Sequence, residues 1–131
     1  MSISKAAAHD TDFDHWIAEA FAAHGPFTAF AVLVEIAGPR VTPLRSTWFN
    51  VIGDEIDWAG ITRLFAGAGM PWDGAAFFPQ PSPDGPLGTP TARARLRLLE
   101  ERLDDDRLVL NEGHFFDTWG RRMKIEEVDQ T

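Results

Sequence analysis

The sequence predicts an α+β protein: a mainly antiparallel sheet of about five strands with about three helices, in the order α-β-β-α-β-α-β-β. Three observations carry this. Stretches with helical apolar periodicity are separated from runs of β-branched and aromatic residues by Gly-Pro and Pro-rich breaks. The first two strand-like runs follow one another with no helical stretch between them, so they pair as a hairpin. After the last helical stretch come several short strand-like runs rather than another β-α-β unit. Helices are expected on one face of such a sheet.

The elements follow in order. Thr11 or Asp10 can cap a first helix running to about His24, where Gly25-Pro26 stops it. Phe13, Trp16, Ile17, Ala20 and Phe21 recur at i, i+3, i+4, i+7 and i+8 and form its apolar face. Phe27 to Ala37 is apolar on both faces, as in a central strand covered on both sides, or on one side and at an interface. Leu44 to Ile52 is the returning strand, after a six-residue loop. Asp54 or Asp57 opens a second helix to about Ala68, with Trp58, Ile61, Leu64, Phe65 and Ala68 inward. Pro71 forbids its continuation.

A short strand is expected over Ala75–Phe78, then a Pro-rich surface loop over residues 79–90. Thr89 caps a third helix and Pro90 occupies its first position, with Ala92, Leu96, Leu99 and Leu103 facing the core. Glu100–Asp106 holds five acids in seven positions near the helix C-terminus, where the dipole disfavours them. An early stop with a turn over Asp104–Asp106 is therefore expected. Residues 107–128 read as a meander of two or three antiparallel strands, turning at Asn111–Gly113 and near Trp119-Gly120.

Composition narrows the chemistry. The 131 residues suit one globular domain over residues 1–131, with residues 1–9 a flexible N-terminus. Five Trp and ten Phe stand beside no Tyr and no Cys. That excludes disulfides, a thiol nucleophile, Cys-ligated zinc and iron–sulfur clusters. The formal charge is −8, and the only lysines are Lys5 and Lys124, so nucleic acid and anionic membranes are not expected partners. A basic protein partner fits better. The first residues carry one Lys before turning acidic and hold no apolar run of signal-peptide length, so a cytoplasmic location is expected. A bias to Ala, Gly, Arg and Pro suggests a bacterial, GC-rich source.

Candidate chemistry is sparse. Asp12, His15 and Glu19 share one side of the first helix, but it is the side opposite the apolar stripe, so no metal site is expected there. His24 suits a helix C-terminal cap. Asp73, beside Trp72 and before Gly74, is either a turn cap or a carboxylate tuned by a partly closed site. Asn111, Glu112, His114 and Asp117 form the densest group of catalytic residue types, because a carboxylate can orient one imidazole nitrogen while the other takes a proton. Strand alternation puts His114 and Asp117 on opposite faces. Ser46 lacks a nucleophile elbow, and Gly67-x-Gly69 ends a helix instead of starting one.

These features point first to a non-catalytic protein-interaction or regulatory module, acting on a protein partner or as a homodimer, with no cofactor. Trp48, Trp72 and Trp119, unassigned to core stripes, are its candidate binding residues. The alternative is a small enzyme or small-molecule binder, with Asp73, Glu112, His114 and Asp117 as its polar set and the same three tryptophans as walls. The catalytic version requires Asp73 and His114 to meet in one cavity. A third reading, an acidic inhibitor that covers a basic site, rests on the Glu100–Asp106 run alone.

Overall fold

Thr11 is the helix cap the sequence predicts. In the computed structural model, which describes residues 11–53 and 55–124, its side chain accepts from the Asp14 amide and the Asp14 carboxylate accepts from the Thr11 amide. Helix α1 spans Asp12–His24 and ends at Gly25, whose φ of 70° suits glycine. Phe13, Trp16, Ile17 and Ala20 are buried as the periodicity requires.

Strand β1 (Phe27–Ala37) matches its predicted bounds. Strand β2 (Arg40–Val51) starts four residues earlier than expected, so the loop shrinks from six residues to the two-residue turn Gly38-Pro39. Gly38 supplies the positive φ such a hairpin turn needs. Pro43 disguises this part of the strand, because it cannot donate to a ladder. The chain accommodates it with a bulge: Leu33 pairs with Arg45 and Val34 with Pro43, leaving Leu44 as the extra residue.

Helix α2 (Trp58–Ala66) is capped by Asp57, which accepts from the Gly60 amide, while Asp54 lies outside the described residues. It is shorter than predicted, and Leu64 is 54% exposed instead of inward. Strand β3 (Gly74–Gln80) extends the expected strand at both ends. Helix α3 (Thr89–Asp105) takes Gly88 as its cap, one residue before Thr89. The expected early stop does not occur. Exposure of Asp104 and Asp105 lets water screen their unfavourable dipole contact, and buried Leu103 anchors the last turn.

Asp106 closes α3 and then caps a 3₁₀ helix (Arg107–Glu112), accepting from the Leu108 amide. This replaces the strand expected at the start of the tail: Val109 and Leu110 pack into the core from a helical turn. Strands β4 (His114–Asp117) and β5 (Arg122–Met123) complete the sheet, with the turn near Trp119-Gly120 as predicted. The sequence 1–9 and the end of the predicted meander, from residue 125, lie outside the described residues.

All pairings are antiparallel in the order β2-β1-β3-β4-β5, an α+β fold. The helices do not share a face. Ala29, Ala31, Leu33, Ala75, Phe77 and Phe116 pack under α1 and α2, while Phe30, Val32, Val34, Ala76, Phe78 and Phe115 pack under α3 and the 3₁₀ helix. Because β1 and β3 are apolar on both sides, each face needs a helical cover. The chain supplies both covers itself, so β1 gives no reason for a second copy.

One buried charge joins the elements. Asp14 accepts from the Thr11 amide at the start of α1 and, at 2.7 Å, from the Trp58 amide at the start of α2. A carboxylate is well placed between two helix N-termini, where donors and dipoles both favour negative charge. The Trp58 indole donates to the Thr118 carbonyl, which docks the β4–β5 turn on the same pair of helices. Gly120 is required there: a Cβ would lie 2.9 Å from the Trp58 ring and 3.0 Å from Thr11.

Candidate functional site

Two of the four polar candidates reach one cleft. It measures about 390 Å³ and opens between α3 and the ends of β3 and β4. Phe30 and Phe78, neighbours across β1 and β3, lie at its base, with Leu98 and Leu99 on its helical side. Arg95 and Arg102 come from α3, Gln80 from β3, Glu112 from the 3₁₀ helix and His114 from β4. Gly113 allows the chain to pass between the last two, since a Cβ there would meet the Phe77 carbonyl oxygen at 2.6 Å.

The charges here are ordered. One Arg102 nitrogen donates to both oxygens of Glu112, at 2.7 and 2.8 Å. Arg95 makes a single long contact, 3.4 Å, to the Gln80 side-chain oxygen. The His114 imidazole lies on the α1 face instead, stacked on Trp16 with ring centroids 4.5 Å apart, and Arg122 lies 3.1 Å from its Nδ1. A guanidinium can only donate, so Nδ1 accepts and the ring proton sits on Nε2. Burial, followed by the charge of Arg122, holds the His114 pKa below its ordinary value of 6.5. The imidazole is therefore a neutral donor through Nε2 at neutral pH.

The other candidates are elsewhere and occupied. Asp73 accepts from the Ile36 amide at 2.7 Å and donates its own amide to the Val34 carbonyl, tying β3 to the far end of β1. His114 pairs with Phe77, four residues along β3, roughly 13 Å away at about 3.3 Å per residue. Asp117 accepts from the Trp119 and Arg121 amides and from the Arg121 side chain, which makes it the cap of the β4–β5 turn. Asp73, His114 and Asp117 thus form no common acid–base set.

The three tryptophans also separate. Trp72 packs edge-on against Trp58 and Phe65, with centroids at 6.1 and 5.5 Å. Trp119 is 59% exposed, with the Arg121 guanidinium 5.9 Å from its ring. Trp48 pairs with Phe30 under α3 and also lines a second cleft, of about 370 Å³, at the β2 edge beside Leu64, Phe65 and Ala68. The acidic run is partly engaged too: Glu100 accepts from Ser46, and Asp106 caps the 3₁₀ helix.

Asp12 accepts from the Arg122 amide and is exposed, like His15 and Glu19. Among the described residues no group of three or more His, Asp or Glu is arranged to hold a metal ion. Nor is any of their helices long and apolar enough to cross a membrane. Sequence reasoning missed Arg95 and Arg102. Their separation of seven residues puts them on one side of a helix, a signal visible in the sequence once Leu99 between them is read as core-facing. No protein-family model, curated protein or solved structure matches the chain.

Proposed function

We propose that the protein is a non-catalytic interaction module that takes an extended segment of a protein partner along the β2 edge. The observation that carries this is that β2 is a twelve-residue strand at the end of the sheet, with no described strand on its outer side. Its backbone groups there form a template for strand addition. Pro43 and the Leu44 bulge interrupt the first part, but pairing to β1 is regular from Arg45 to Val51.

Apolar recognition is available beside that ladder. The cleft lined by Leu33, Leu64 and Ala68 and a second of about 280 Å³, lined by Ile56 and Ile61, meet at Phe49 and Leu64. Two adjoining clefts suit alternate side chains of one strand. Arg45 lies at the first cleft, and Glu55 and Asp57 at the second. A partner segment with alternating apolar residues, an acid towards Arg45 and a base towards Glu55 complements this arrangement. The enzyme alternative draws less support, because Asp73 and Asp117 stand apart from Glu112 and His114.

Selection of peptides from a random display library on the immobilised protein tests the reading. Enriched peptides should show that alternation and should slow hydrogen exchange at Ser46–Asn50. Leu64→Asp should weaken them about tenfold or more while leaving the Tm unchanged, since Leu64 is exposed. Failure to enrich any sequence, or exchange protection confined to other strands, would overturn it.

A further inference from the structure

The cleft between α3 and the end of β3 carries a different inference, on the opposite face of the sheet from α2. We propose that it binds a small monocarboxylate with an apolar body. The base, Phe30 and Phe78, is 1% and 8% exposed, yet Leu98 beside it is 60% exposed. An apolar ligand group seated there would cover Leu98, an aliphatic side chain otherwise left in water. The volume of about 390 Å³ falls near the lower end of small-molecule sites, which run from about 300 to 1,000 Å³.

The polar groups around this base are mostly donors. Arg95 and Arg102 lie on one side of α3, two turns or about 10 Å apart. His114 borders the cleft from β4, but its imidazole lies on the other face of the sheet, stacked on Trp16, and donates nothing to it. The one carboxylate lining the cleft among the described residues, Glu112, is held by Arg102. Two guanidinium groups against one carboxylate leave a single positive charge at the mouth of the cleft, in a protein whose overall charge is −8. Arg95, with one long contact to Gln80, is the group with donors to spare.

Geometry and charge then divide the ligand. The carboxylate accepts from Arg95, whose planar fork matches it, and the apolar body lies over Phe30 and Phe78. Metal chemistry and covalent steps are not involved. A single charge on the ligand balances the cleft, whereas a doubly charged phosphate would exceed it. This inference does not depend on the β2 edge, so either can fail alone.

The test is a titration of the ¹⁵N-labelled protein with 4-phenylbutyrate, its neutral amide and inorganic phosphate. Expected are saturable shifts at Arg95–Leu99 and His114 with the acid, at least tenfold weaker binding of the amide, and no saturable shift with phosphate. Arg95→Gln should weaken the acid about tenfold or more, the effect of losing one charge-assisted hydrogen bond. Arg93→Gln, on another side of the helix, should leave it unchanged. Equal binding of acid and amide, saturable phosphate binding, an unaltered affinity in Arg95→Gln, or no saturable shift with the acid would each overturn the proposal.

Discussion

The two faces of the sheet are held by different chemistry. Under α1 and α2, Phe13, Trp16, Trp58, Phe77 and Phe116 form a continuous set of tilted and edge-on ring contacts, with centroids about 5 to 6 Å apart. That aromatic layer is pinned by the buried Asp14 bonds and the Trp58 indole. Under α3 the layer is mostly aliphatic: Val32, Val34, Leu96, Leu99, Leu103, Val109 and Leu110. The ties of α3 itself, Ser46 to Glu100 and Arg102 to Glu112, are at the surface, and the buried Thr28 hydroxyl on this face accepts from the Leu87 amide in the loop before the helix. Apolar packing is non-directional, whereas buried hydrogen bonds have a geometry, so α1 and α2 are fixed in orientation and α3 is held mainly by burial.

The largest expected effect tests that contrast directly. Phe13 is fully buried and meets four rings, so Phe13→Ala should cost about 3–5 kcal/mol in urea unfolding. Leu99→Ala, 7% exposed under α3, should cost less, near the lower end of the about 2–5 kcal/mol range for such changes. A greater loss from Leu99→Ala would reverse the ranking of the two faces.

Asp14→Ala comes next. It leaves the Trp58 and Thr11 amides without their acceptor, at about 1–3 kcal/mol for each group that stays dry. Hydrogen exchange should quicken at the start of both α1 and α2. Quickening at α1 alone would mean that the Asp14 bond to Trp58 does not couple the helices.

The surface tie of the α3 face should be weak by comparison. Glu112→Gln should change stability by less than about 1 kcal/mol, because both partners are more than half exposed. A thermal melt showing a loss comparable to that of Asp14→Ala would mean that polar pins matter equally on the two faces.

The smallest effect concerns pH. The His114 pKa is lowered in the fold, first by burial and then by Arg122, so the unfolded chain takes up its proton at higher pH. The neutral-state preference costs nothing above about pH 6.5; stability falls as the pH drops through 6.5 towards the folded-state value. His114→Gln should flatten that part of the profile in parallel urea titrations. An unchanged slope would show that His114 is not its source.

How much of this was legible depends on whether the interaction is local. The bounds of β1, the Thr11 cap and the core roles of Trp16 and Trp58 were all readable, because periodicity and caps act within a few residues. Pro43 and the acids at the end of α3 misled the reading: edge placement and exposure, both tertiary facts, made each tolerable. The candidate site was half legible. Glu112 and His114 both border one cleft as neighbours in sequence should, but strand alternation turns the His114 ring to the α1 face, and Asp73 is drawn away by a bond to Ile36, thirty-seven residues distant.

By itself the sequence determined which segments are helical or extended, and that the sheet is antiparallel with a doubly apolar central strand. Only the tertiary structure decided where the helices lie. A strand that alternates polar and apolar residues marks its own wet face, but β1 and β3 have no such mark, so their pattern cannot say which helix covers which side. Distant contacts decide it: Asp14 holds α2 beside α1, and burial of Leu96, Leu99 and Leu103 places α3 on the opposite face.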